Sequence, residues 1–235
     1  KNIKVMTAKD LLDNYEKLVT FIEDSFDGER KEKLMWLYEK LSDRIATAPA
    51  SMKKQYHNAY PGGYVAHVLN VIKAAEKVYK VWEEMGAEFN FTIAELRFAA
   101  LNHDLGKIGT KTDEYYIPCQ EEWMRKKGQE YVMNPNIQYM KVAERSLMIL
   151  QQNQISVTEN EYLAIKLHDG LYEDANKAYY ISYSEDMQLK TTLPYILHQA
   201  DLMCAKIEGQ ANSPKQIKTT PAKTGNKTLD KFLNE

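Results

Sequence analysis

His103 and Asp104 stand side by side in the run LNHDLGKIG, where an apolar helical pattern ends. Buried and unpaired, such groups would be costly, and a divalent cation bound between them offsets that cost. Imidazole with carboxylate suits Mn, Fe, Co, Ni, Zn or Mg. Lys107 follows His103 by four residues, on nearly the same face of a continued helix, so its ammonium would point at whatever the ion holds. An ion beside an ammonium suits a phosphate, because both oppose the charge on transferring phosphoryl oxygens. The chain's other histidines are His57, His67, His168 and His198. His67 lies one turn beyond YPGG, where Pro61 fixes φ and Gly62 and Gly63 let the backbone approach another group. In LHQADLMCAKIE, His198 and Asp201 are three apart on one helical face, and Asp201 needs a partner among Leu197, Leu202 and Met203. His67, His103, Asp104 and Asp201 together form a plausible coordination set.

The elements that must position these residues are helical. Leu11, Leu12, Tyr15, Leu18, Val19 and Ile22 recur at helical spacing behind Thr7 as N-cap, and Leu34, Leu37, Leu41 and Ile45 repeat the pattern. Residues 46–63 lose periodicity and predict a loop. A long helix is expected from Tyr64 to about Met85, stopped by Gly86. The next, TIAELRFAALNHDLG, has Thr92 and Glu95 spaced for a capping box and is apolar on nearly every side, so it should be central. Residues 107–135 read as short helices or a surface excursion. Three further helices fall on QYMKVAERSLMILQQN, TENEYLAIKLHDGL and LPYILHQADLMCAKIE, with KAYYISYSEDMQLKTT between the last two favouring loop over strand. Strand signals are too few for a sheet, so the expected class is all-α.

With 44% hydrophobic and 27% charged residues, the 235-residue chain is neither collagenous nor disordered throughout. Its 31 Lys+Arg against 33 Asp+Glu leave a net charge of −2, without the basic footprint of a dedicated nucleic-acid binder. Cys119 and Cys204 read as free thiols of a reducing compartment, and no apolar run approaches a membrane span, so a cytoplasmic protein is expected. No Walker motif or glycine-rich phosphate cradle appears, which favours hydrolysis over kinase chemistry.

In that order and on helical patterns, YPGGYVAHVLNV, LNHDLGKIG and LHQADLMCA resemble the His…His-Asp…Asp pattern of the HD superfamily of metal-dependent phosphohydrolases. The resemblance covers roughly residues 46–208. It is nearest to small bacterial and phage HD hydrolases and to the HD domain of a 3′–5′ exoribonuclease family. It implies an HD-domain helical bundle in which His67, His103, Asp104 and Asp201 hold one divalent ion and Asp104 bridges to a second where one binds. It implies a phosphate contact for Lys107 and a place near the pocket for His57, where many relatives carry a second histidine and this chain has Asn58. Of two further histidines used with a second ion, His168 matches one, while the other position holds Val142. One tight ion is therefore expected, with any second ion weaker and on His168 and Asp104.

The expected catalytic residues are Asp104, Lys107 and His168, and the expected substrate contacts are His57, Lys107 and Arg145. The expected activity is metal-dependent hydrolysis of a phosphoester in a nucleotide or related small molecule, a short nucleic acid staying compatible. A mixed-valent di-iron oxygenase and a non-catalytic nucleotide-sensing module are the rival classes. Simpler readings stay beside these: Lys107 could complement a helix dipole, Arg145 could be a solvated charge, His168 a surface residue beside Asp169, and His198 a packed or capping side chain. The domains expected are a helical extension over 1–45 packing on the core, the HD domain over 46–208, and a flexible basic tail over 209–235. Within that tail Leu229, Phe232 and Leu233 form a small apolar face, and residues 228–235 either dock on the body or bind a partner groove.

Overall fold

A computed structural model describes residues 6–212. The basic run beyond Asn212 and the motif at 228–235 lie outside the described residues. Among the described residues ten α-helices follow in order: α1 Ala8–Ser25, α2 Gly28–Lys40, α3 Ser42–Thr47, α4 Gly63–Glu84, α5 Ile93–Asn102, α6 Glu122–Lys126, α7 Val142–Gln152, α8 Glu159–Leu167, α9 Lys177–Tyr180 and α10 Leu193–Asn212. The class is all-α as expected. No helix among the described residues is long and apolar enough to cross a membrane.

Both expected N-caps form. Thr7 and Thr92 each accept the N–H of the residue three on, and Asp10 and Glu95 reciprocate, so two backbone donors at the start of each of α1 and α5 are satisfied. α5 is central: Leu96, Phe98, Ala99, Ala100 and Leu101 are buried on every side. They join one buried cluster with Leu18, Ile22 and Phe26 of the N-terminal region, Leu34 and Leu37 of α2, and Val65, Val68 and Ile72 of α4. Each large aliphatic or aromatic side chain so buried contributes about 1.5–3 kcal/mol. α10 packs against α4, α8 and α5, and α7 packs against the turn that follows α5. These neighbours bring the ends of α5 and α8 against the first turns of α4 and the middle of α10. Arg30 ties α2 to α8 through a 2.6 Å ion pair with the buried Glu161 and lies over the Phe98 ring.

Three local expectations need correction. Residues 107–135 include a small antiparallel hairpin, β1 Tyr116–Pro118 with β2 Tyr131–Met133, pairing Ile117 with Val132. Three-residue strands are too short to display alternation, and their pairing comes instead from the chain folding back around α6. The 48–62 loop is bonded to this excursion, with Lys54 N donating to Gly128 O and Glu130 N to Met52 O. Residues 177–180 form α9, one turn of helix rather than pure loop. Finally, α10 runs through Gly209 to Asn212, so the helix continues past the expected start of the tail. The close approach expected after Pro61 is present: a Cβ on Gly63 would stand 2.0 Å from the Asn58 carbonyl oxygen. That contact holds the His57 loop against the start of α4.

Candidate metal centre

The sequence α5–turn–α7 sets the first pair. α5 ends at Asn102, His103 keeps helical dihedrals, and a 3-10 turn over Leu105–Ile108 follows. His67 on α4, His103 and Asp104 are all buried, and their ligand atoms form one cluster able to hold an ion. Asp104 Oδ2 lies 3.6 Å from His67 Nε2 and 3.5 Å from His103 Nε2. Asp201 comes in from α10, with Oδ1 at 3.0 Å from His67 Nε2 and 3.9 Å from His103 Nε2. Two ligands about 2.1 Å from a shared ion stand about 3.0 Å apart at a right angle and about 3.4 Å apart at a tetrahedral one. The observed spacings are of that size. The four residues singled out from the sequence are thus brought together.

What fits these groups to a cation is the direction of the ring nitrogens. His67 Nδ1 donates to Glu208 Oε2 at 2.9 Å, His103 Nδ1 to the Ala100 carbonyl at 2.8 Å, and His168 Nδ1 to the Ile165 carbonyl at 2.7 Å. Anchoring Nδ1 as the donor fixes each ring and turns Nε2 towards the carboxylates. His103 Nε2 is buried without any hydrogen-bond partner. His103 Nε2 thus faces two carboxylates with no hydrogen-bond partner of its own, a gap that a cation held between them would fill.

The charges are strongly biased. Burial alone would raise the Asp104 carboxyl, but Lys107 and His103 hold it well below the usual carboxylate range. Asp201 is likewise held low against burial, chiefly by the His67 hydrogen bond. Burial pulls His67 down, yet its bonds to Asp201 and Glu208 push it up to about 9. Burial together with the charges of Lys107 and His67 pushes His57 down to about 3. His168 is raised because Asp169, Asp104 and Asp201 outweigh its burial.

A cavity of about 220 Å³ opens beside the cluster, bordered by His57, Asp104, Lys107, Val142, His168 and Asp201 among others. The His57 ring lies 4.6 Å from the His67 ring, tilted by 39°, with a buried, unpartnered Nε2. His168 is buried rather than on the surface, and its Nε2 faces Asp104 Oδ1 at 3.7 Å. The two Asp104 oxygens therefore face different groups. His168, Asp169 and Asp201 form a second cluster with metal-ligand spacing. Val142 borders this cavity with an apolar side chain. His198 donates Nδ1 to the His168 carbonyl at 2.7 Å, which is its packed, orienting reading rather than the ligand one.

Two residues sit differently from expectation. Lys107 does not extend from a continued α-helix. The 3-10 turn puts residues three apart in register, and its Nζ rests 2.6 Å from Asp104 Oδ2 while still lining the cavity. Arg145 is neither a solvated charge nor part of the cavity lining. It is buried on α7, donates to the Gln138 carbonyl, and lies over Tyr115. The residue missed from the sequence is Glu208, which also accepts from Asn70 Nδ2 at 2.7 Å. Its signal was its place seven residues after Asp201, on the same face of α10.

No family model matches the chain, and neither a curated protein nor a solved structure matches it.

Proposed function

We propose that the chain is a metal-dependent phosphohydrolase of the HD type, cleaving a phosphoester of a nucleotide or related small molecule. The observation that carries this reading is the buried His103 Nε2, unpartnered and aimed with His67 Nε2 at Asp104 and Asp201. His67, His103, Asp104 and Asp201 would hold the divalent ion, whose identity lies among Mn, Fe, Co, Ni, Zn and Mg. When bound, such an ion polarises a phosphoryl oxygen and brings the pKa of water towards neutrality.

The chain's own groups do the rest. Lys107, lining the cavity with its ammonium against Asp104, offsets the charge of a bound phosphate. His168, raised by the surrounding carboxylates, orients the attacking water from the side of Asp104 Oδ1. His57, held neutral, hydrogen-bonds a substrate oxygen through its free Nε2.

The second cluster of His168, Asp169 and Asp201 favours one alternative, a two-ion centre with the di-iron oxygenase as its chemistry. One experiment separates the two. Purified protein is analysed for metal and then assayed for phosphate release from a nucleotide panel with Mn²⁺, Co²⁺, Ni²⁺ and Mg²⁺ in turn. Hydrolysis is expected with at least one metal and should vanish, with metal retention, in Asp104→Ala. Two irons per chain with an oxygen-dependent chromophore and no phosphate release would overturn it.

A further inference from the structure

A second hollow, of about 340 Å³, adjoins the metal cavity and is lined by Leu171, Tyr172, Tyr180, Tyr195 and His198 with Gly170. Tyr172 and His198 border both spaces, so one ligand can occupy the two together. At this size, near the lower end of small-molecule sites of about 300–1,000 Å³, the hollow takes a single ring system rather than a polymer.

Its walls are aromatic and mostly fixed in place. Tyr180 donates its hydroxyl to the Leu167 carbonyl at 3.0 Å and meets Tyr195 edge to face at 5.3 Å. Tyr195 in turn stacks on Trp82 with centroids 6.5 Å apart. His198 is held by its bond to the His168 carbonyl. Tyr172 is the exception: its ring is 74% exposed at the junction of the two spaces, with the Lys206 ammonium 5.7 Å from its centroid. Tyr180 and His198, with a hydroxyl or ring N–H already engaged, offer a partner mainly faces and edges, and a planar aromatic ring is what such a cradle stacks best.

We propose that this hollow seats a planar aromatic ring of the substrate, so that the site selects phosphoesters whose non-reacting part carries a ring, such as a nucleobase. The proposal rests on the phosphoester reading above, which places the phosphate end of the same molecule in the metal cavity.

The test pairs ligands that differ only in the ring, using the metal-loaded full chain. Binding of adenosine and cytidine is compared with that of ribose by titration calorimetry, and kcat/KM for AMP is compared with that for ribose 5-phosphate. The nucleosides should bind and ribose should not. Tyr172→Ala should weaken nucleoside binding about tenfold or more and lower kcat/KM for AMP by a similar factor. Nucleosides binding no better than ribose, or equally well to Tyr172→Ala, would overturn the proposal. Equal kcat/KM for AMP and ribose 5-phosphate in the wild type would overturn the ring's role in selection while leaving the hydrolase reading intact. Nucleoside binding that depends on Tyr172, with no phosphoester turned over, would support the ring seat and sink the hydrolase reading instead.

Discussion

Glu208 accepts the Nδ1–H of His67 at 2.9 Å, on the opposite side of the ring from Asp201, whose Oδ1 stands 3.0 Å from Nε2. The ring is thus clamped between two carboxylates of one helix, one turned outward as an orienting partner and one inward, where it would ligate the proposed ion. Removing the charge of the outer one should weaken the metal without dismantling the fold. Glu208→Gln keeps an acceptor for His67 and is expected to lower metal affinity about 10–100-fold, as measured by competition with a chromophoric chelator. Unchanged affinity would show that the clamp is only packing.

His67 would make binding of the proposed ion pH-dependent. With its pKa pushed from 6.5 up to about 9 by Asp201 and Glu208 against the pull of burial, the metal-free ring is protonated at pH 7.5. An ion taking Nε2 must displace that proton. Calorimetry in two buffers of different ionisation enthalpy should therefore find about one proton released per ion, with apparent affinity rising towards pH 9. No proton release at pH 7.5 would contradict this. The same shift gives the metal-free protein stability that is full below pH 6.5 and is lost as pH rises through about 9. Asp104 and Asp201, both lowered, contribute in the opposite sense: their share is present above the ordinary carboxylate pKa and is lost on acidification below it.

Lys107 has two jobs that can be separated. Its ammonium is buried against Asp104, so Lys107→Met leaves that carboxylate without its nearest cation. Chelator-treated Lys107→Met should melt well below chelator-treated wild type, whereas the metal-loaded pair should differ little, because the ion replaces the missing charge. If Lys107 also meets phosphate, kcat/KM falls about 10–100-fold. Equal melting shifts with and without metal would argue that the 2.6 Å pair is not what stabilises Asp104.

Gly106 is where the metal turn meets α7. A Cβ there would stand 2.2 Å from the Val142 carbonyl oxygen, and the Gly106 N–H donates to Ser146 Oγ at 2.7 Å. Gly106→Ala should cost about 1–3 kcal/mol and, by moving the turn that carries Asp104, weaken metal binding as well. Thermal melts and metal titration on the same preparation check both, and a variant of unchanged stability would refute the close packing.

By itself the sequence determined the long helices and the residues most in need of a partner. Apolar spacing marks which face of α1 and α4 turns inward, and Thr7 and Thr92 with their acidic partners mark where α1 and α5 begin, because these depend on neighbours within about one turn. His103-Asp104 at the end of a helix apolar on every side was legible for the same reason. The tertiary structure alone decided distances across the chain. His67 and Glu208 are 141 residues apart in sequence, and only the packing of α4 on α10 makes them bonded. Arg145 reads as a substrate contact or a solvated charge on α7 until the Gln138 carbonyl and the Tyr115 ring close around it. Lys107 turned onto Asp104 because the chain tightened into a 3-10 turn where α5 meets α7. Local periodicity sets which way a side chain faces, but what it meets there depends on helices brought alongside by burial of a shared core, a contribution that no single segment carries.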